Sequence, residues 1–151
     1  MSDAPSQPAR YFEELDVGET ASYPDARTIT EADIANFAGL TGDFHPLHMS
    51  SEFARKQTQF DGRIAHGQMI ADITESIAME ENMHCFSYGH DGTRFVKPVY
   101  PGDTLSARRE LVETEPYDDD YGRAIYEYET TNQDGETVFV DRHTLLVKRR
   151  P

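Results

Sequence analysis

Apolar residues follow two rhythms along this chain. Up to about residue 83 they recur every three or four positions, and from Cys85 onward they alternate with polar ones. After a turn at Glu13–Gly18, a strand is predicted around Thr20–Ile29. Thr30 then offers a capping hydroxyl, and Glu31 and Asp33 favour the positive end of a helix. That helix presents Ile34, Phe37 and Ala38 on one face and stops at Gly39–Gly42, where glycine tolerates a left-handed turn. Pro46 argues against a regular helix through residues 43–49, so a shaped loop is expected there. A short helix from Ser50 or Ser51 to about Lys56 buries Phe53, and Gln59–Gly62 is a loop. The longest helical pattern runs from His66 to Met83, with Met69, Ile70, Ile73 and Ile77 on one stripe.

Four strands follow, at Phe86–Lys97, Thr104–Glu115, Arg123–Asn132 and Thr137–Lys148. Turn signals separate them at Pro98–Asp103, Asp118–Gly122 and Asn132–Gly135. One early strand, then helices, then four strands in succession is an α+β pattern with an antiparallel sheet. The chain has no internal repeat and no linker long enough to divide it. Residues 11–151 are therefore expected to form one domain, and the polar, proline-rich residues 1–10 a disordered tail without the apolar segment of a signal peptide.

Composition narrows the setting. Asp and Glu number 28 against 14 Lys and Arg, a formal net charge of −14. The three lysines are Lys56, Lys97 and Lys148. Such acidity costs compactness through self-repulsion that salt screens. The balance suggests adaptation to a very salty cytoplasm, as in a halophilic archaeon, with an ordinary acidic protein as the plainer reading. Nucleic acid is a poor partner for so acidic a chain. No apolar run approaches the length of a membrane span, and the single cysteine, Cys85, cannot form an intrachain disulfide. A cytoplasmic location is expected. The run Asp118–Asp120 beside Tyr121-Gly122 reads as a solvated hairpin tip, and the Tyr117, Tyr121, Tyr126, Tyr128 set as a strand-face pattern.

Candidate chemistry concentrates in Thr41-Gly42-Asp43-Phe44-His45-Pro46-Leu47-His48 and in Arg63-Ile64-Ala65-His66-Gly67. A carboxylate and an imidazole five positions apart on a proline-stiffened loop, Asp43 and His48, can hold and deprotonate one water. Histidine titrates near neutrality, which suits a reversible reaction. Gly67 opens a helix, so its amide is free to donate to an oxyanion with the helix dipole behind it. Taken alone, Asp43 is equally readable as a turn residue and His48 as a satisfied loop histidine. A metal site from His45, His48 and His66 is disfavoured by the intervening proline and by the lack of a matching Cys or Glu pattern. His66 reads as a structural residue orienting the helix start, and His84, His90 and His143 show no pattern.

Thr30–Ala54, TEADIANFAGLTGDFHPLHMSSEFA, resembles the signature of the MaoC-like dehydratases, the (R)-specific enoyl-CoA hydratase group. Arg94–Asp103, RFVKPVYPGD, resembles a second stretch of that family. The resemblance implies a single hotdog domain, a five-stranded antiparallel sheet wrapped around a long central helix. Two copies would pair into a continuous ten-stranded sheet, giving a homodimer or higher homo-oligomer. By the same resemblance Asp43 and His48 are the catalytic pair, and the Gly67 amide binds the thioester oxygen. The substrate is an acyl-CoA, CoA entering as part of it, with no metal and no organic cofactor. Arg94, Lys97 and Arg63 are candidates for the CoA phosphates or for surface ion pairs. The implied activity is reversible hydration of a trans-2-enoyl-CoA to an (R)-3-hydroxyacyl-CoA. The alternatives are a hotdog acyl-CoA thioesterase using Glu75 or Asp72, and a non-catalytic acyl-CoA-binding hotdog protein. Two positions depart from the family. His45 replaces the usual Asn, and Glu75 stands where a small hydroxyl residue is common, with Thr74 and Ser76 beside it.

Overall fold

A computed structural model describes residues 8–151. A short 3-10 turn at Phe12–Glu14 leads to strand β1 (Thr20–Thr28). Helices α1 (Glu31–Thr41), α2 (Pro46–Met49), α3 (Ser51–Gln57) and α4 (Gly67–Ala78) follow. Strands β2 (Cys85–Phe95), β3 (Thr104–Pro116), β4 (Tyr121–Thr131) and β5 (Thr137–Lys148) complete the chain. The strands form one antiparallel sheet in the order β1-β3-β4-β5-β2. Helix α4 lies across it, touching β1, β3, β4 and β5. This is the hotdog arrangement, and β2 is left as an edge strand.

The core follows from the two rhythms. Met69, Ile70 and Ile73 of α4 pack with Ile29, Ile34, Leu105, Val138 and Phe139. A second cluster joins Ala78 to Leu111, Tyr126, Tyr128, Leu145 and Val147. Alternate residues of β4 point inward, so Tyr126 and Tyr128 are core residues. The acidic run caps the β3–β4 hairpin, where the Asp118 carboxylate accepts from the amides of Asp120 and Tyr121.

Three expectations need correction. Helix α4 ends at Ala78, not at Met83, because tertiary contacts override the pattern. The Arg109 guanidinium donates to the Ala78 carbonyl at 2.8 Å, and the next turn is drawn out so that buried Glu80 meets Arg10 and the Tyr126 hydroxyl. Pro46 starts a helical turn instead of preventing one, since at the first helical position its missing N–H has no intrahelical role. The expected tail over residues 1–10 lies outside the described residues for positions 1–7, but Arg10 is fixed by ion pairs to Glu19 at 2.7 Å and Glu80 at 3.1 Å. Among the described residues, no helix is long and apolar enough to cross a membrane.

Candidate active site

The site is built between the C-terminal end of α1 and the N-terminal end of α4. Thr30 and Asp33 cap α1 reciprocally: the Thr30 hydroxyl accepts from the Asp33 amide, and the Asp33 carboxylate accepts from the Thr30 amide. These bonds hold the Asp33 carboxyl below its usual range. Gly42 ends α1 in the left-handed region, with φ +79, and donates to the Ala38 carbonyl. The chain then turns through Asp43 into α2. His45 caps that turn, its Nδ1 accepting from the Leu47 amide at 3.1 Å. An asparagine oxygen caps in the same way, so the departure at position 45 preserves the local geometry.

His48 and His66 both face Asp43. The Nδ1 of His48 lies 2.8 Å from the Ile64 carbonyl. A carbonyl only accepts, so Nδ1 carries the proton and Nε2 is left with its lone pair. That Nε2 stands 3.9 Å from Asp43 Oδ2. The buried His66 donates from Nε2 to the Asp43 carbonyl at 2.9 Å, and its ring stacks on His48 with centroids 3.9 Å apart. Burial lowers the pKa of His48; the Ile64 carbonyl opposes the shift, and His66 adds to it. The Asp43 side chain is about half exposed, His48 only 13%. A neutral base is thus held beside an accessible carboxylate.

Gly67 begins α4, so its amide belongs to the first turn and has no carbonyl partner within the helix. Any side chain there would collide with Phe95, because a Cβ would lie 2.9 Å from that ring. His48, Gly67, Ile70, Phe95, Lys97 and Val138 are among the walls of a cavity of about 280 Å³. Asp43 is not part of those walls and approaches them through His48.

The remaining expected residues separate. Lys97 borders the cavity and is ion-paired with Glu136. Arg63 pairs with Glu31 at 3.3 Å, and Arg94 bonds the Thr93 carbonyl; neither borders this cavity. Glu75 is not beside Asp43. It lies by His90 and His143, with its pKa raised by burial. Thr74 is bonded to Thr130 and supplies no hydroxyl to Asp43. Sequence reasoning gave His66 only a structural role, and the bond to the Asp43 carbonyl extends that role into the site. Its place beside Gly67 was the available signal. Phe95 lies in the family-like stretch Arg94–Asp103, but its contact with Gly67 spans 28 positions and is set only by the fold.

Comparison with known proteins bears on the family and the fold. The profile of the MaoC like domain matches residues 13–133. Protein MaoC of Klebsiella aerogenes is 37% identical over 66% of this chain and 30% of its own length. The (R)-specific enoyl-CoA hydratase of Rhodospirillum rubrum is 37% identical over 64% of this chain and 66% of its own. The chain thus spans about a third to two thirds of the length of these curated relatives. Among solved structures, the monoamine oxidase regulatory protein of Archaeoglobus superposes with a TM-score of 0.88 at 36% identity, over 95% of this chain and 97% of that one. The unliganded R-hydratase PhaJ1 of Pseudomonas aeruginosa gives 0.77 at 28% identity, over 96% and 90%. By sequence and by fold, the chain belongs to the MaoC-like domain family.

Proposed function

We propose that this protein is an (R)-specific enoyl-CoA hydratase, equally a 3-hydroxyacyl-CoA dehydratase, acting through Asp43, His48 and Gly67. The observation that carries the reading is the bare Nε2 of a neutral His48, 3.9 Å from Asp43 Oδ2, in the wall of the same apolar cavity that Gly67 opens into. A water bridging His48 and Asp43 loses a proton to His48 as its oxygen attacks the β-carbon of a trans-2-enoyl thioester. Charge moving onto the thioester oxygen is met by the Gly67 amide at the positive end of α4. The resulting enolate is then protonated at the α-carbon by the proton held on His48. Water is thereby added across the double bond, and the reverse sequence removes it. The step uses no metal and no organic cofactor, and CoA enters only as part of the substrate. Lys97 at the cavity wall is the best placed of the three candidate cations for a CoA phosphate. The hydratase names of the relatives in Rhodospirillum rubrum and Aeromonas caviae support this chemistry over others available to the fold.

The same reading places the enzyme in the cytoplasm as a homodimer or higher homo-oligomer. A second copy would add to the β2 edge, where Phe86, Tyr88, Phe95 and neighbouring Val96 are exposed. Loss of enoyl absorbance on adding the purified protein to crotonyl-CoA tests the function. Hydration to the (R)-alcohol supports it. Release of free CoA from saturated acyl-CoA in place of hydration would establish a thioesterase, and binding without turnover would establish an acyl-CoA-binding protein.

A further inference from the structure

A second polar cluster lies where α4 crosses β5 and the edge strand β2. His90 and His143 are direct cross-strand partners in the β2–β5 register, and Glu75 approaches both from the third turn of α4. Its carboxylate oxygens lie 3.5 Å from His143 Nε2 and 3.9 Å from His90 Nε2. We infer that Glu75, His90 and His143 bind a divalent first-row transition ion of the zinc type, at a site separate from Asp43 and His48.

The separations carry the first part of the argument. At 3.9 Å the Glu75–His90 pair is too far apart for a hydrogen bond, and the 3.5 Å pair is at the limit. Two ligands of one tetrahedral zinc, each about 2.0–2.2 Å from the metal, stand about 3.4 Å apart. A shift of a few tenths of an ångström brings these pairs to that value.

The surroundings carry the second. His90 Nδ1 lies 2.6 Å from the carboxylate of Asp141, which is also bonded by the Thr93 hydroxyl at 2.6 Å. A carboxylate accepting from one ring nitrogen fixes the tautomer and leaves Nε2 as a ligand, the usual arrangement behind a metal-binding histidine. The Tyr128 hydroxyl lies 3.3 Å from His143 Nδ1; a hydroxyl can accept from that nitrogen, and in that tautomer Nε2 keeps its lone pair for a metal. The adjoining cavity of about 110 Å³ is bordered by three carboxylates, those of Asp72, Glu75 and Asp141, and by no lysine or arginine. A cation balances that charge, and a space of this size also admits water to complete its coordination.

Two groups must yield for the ion to enter. The rings of His90 and His143 stack with centroids 4.2 Å apart and planes 11° apart, so His90, 42% exposed, has to tilt. The Ser87 hydroxyl, 2.7 Å from His143 Nε2, has to turn away. The Asp43, His48 and His66 group is the other candidate among the described residues. There His66 spends Nε2 as a donor to the Asp43 carbonyl and has no lone pair on that nitrogen to offer. The inferred ion would pin the last turn of α4 to β2 and β5.

The test is a titration of the chelator-stripped full-length protein with Co²⁺, followed through its visible absorption, with Zn²⁺ as competitor and calorimetry for stoichiometry. One equivalent of Co²⁺ per chain is expected, with the intense bands of tetrahedral coordination and displacement by Zn²⁺. Glu75→Gln and His90→Gln alter partly exposed side chains, and circular dichroism checks their fold. Each should weaken binding by at least about ten-fold, the lower bound seen when even an outer-sphere partner is lost. Asp43→Asn should leave binding unchanged. Absence of binding, binding insensitive to both Glu75→Gln and His90→Gln, or binding abolished by Asp43→Asn would each overturn the inference. Enzyme activity is no part of the readout, so this test and that of the hydratase reading fail separately.

Discussion

The imidazoles of His48 and His66 stack with their centroids 3.9 Å apart and their planes 25° apart. Two rings in such contact resist being charged together, and burial opposes charging His48 further. His48 therefore takes up a proton only below the usual histidine value of about 6.5. If neutral His48 is the base, kcat/KM persists as pH falls through 6.5 and declines below it. His66→Gln removes one of the groups that disfavour the charged ring, so it should move the acid limb upward. A wild-type limb at or above 6.5 would argue against His48 as the base.

Asp43→Asn keeps the size of a half-exposed side chain and removes the charge facing His48. Turnover should fall by about 10²–10⁴-fold, with the unfolding free energy changed by no more than about 0.5 kcal/mol. Near-normal hydration by a folded variant would exclude the proposed mechanism.

Gly67→Ala is favourable to the helix itself but sets a methyl group against the Phe95 ring and into the path of the thioester. We expect a small loss of thermal stability, because the Phe95 ring must move aside, and a fall in kcat/KM of at least about ten-fold. Phe95→Ala alone should widen the cavity and lower KM for longer enoyl chains relative to crotonyl-CoA. Equal kinetics for Gly67→Ala and wild type would remove Gly67 from the thioester site.

The net charge of −14 disfavours the compact state until it is screened. The midpoint of thermal unfolding should rise as KCl is increased from low to multimolar concentration, and hydration activity should be retained there. A midpoint that falls over that range would show that local ion pairs such as Arg10–Glu19 outweigh the overall repulsion.

Sequence by itself determined what depends on neighbours along the chain. The Thr30 cap, the Gly42 stop and the alternation over Tyr121–Thr131 are local, and each element formed where its own residues favour it. Thr137–Lys148, a central strand, is buried almost throughout and does not alternate. Asp43, His48 and Gly67, the residues that the family motif singles out, also lie within 25 positions of one another. Tertiary structure decided what depends on residues far apart. Helix α4 stops at Ala78 because Arg109, 31 positions away, bonds its last carbonyl. Glu75 faces His90 and His143 instead of Asp43 because the β2–β5 register brings those histidines together across 53 positions. Periodicity shows which face of a strand a residue occupies. Register shows which residue stands opposite, and it is set only when the strands pair.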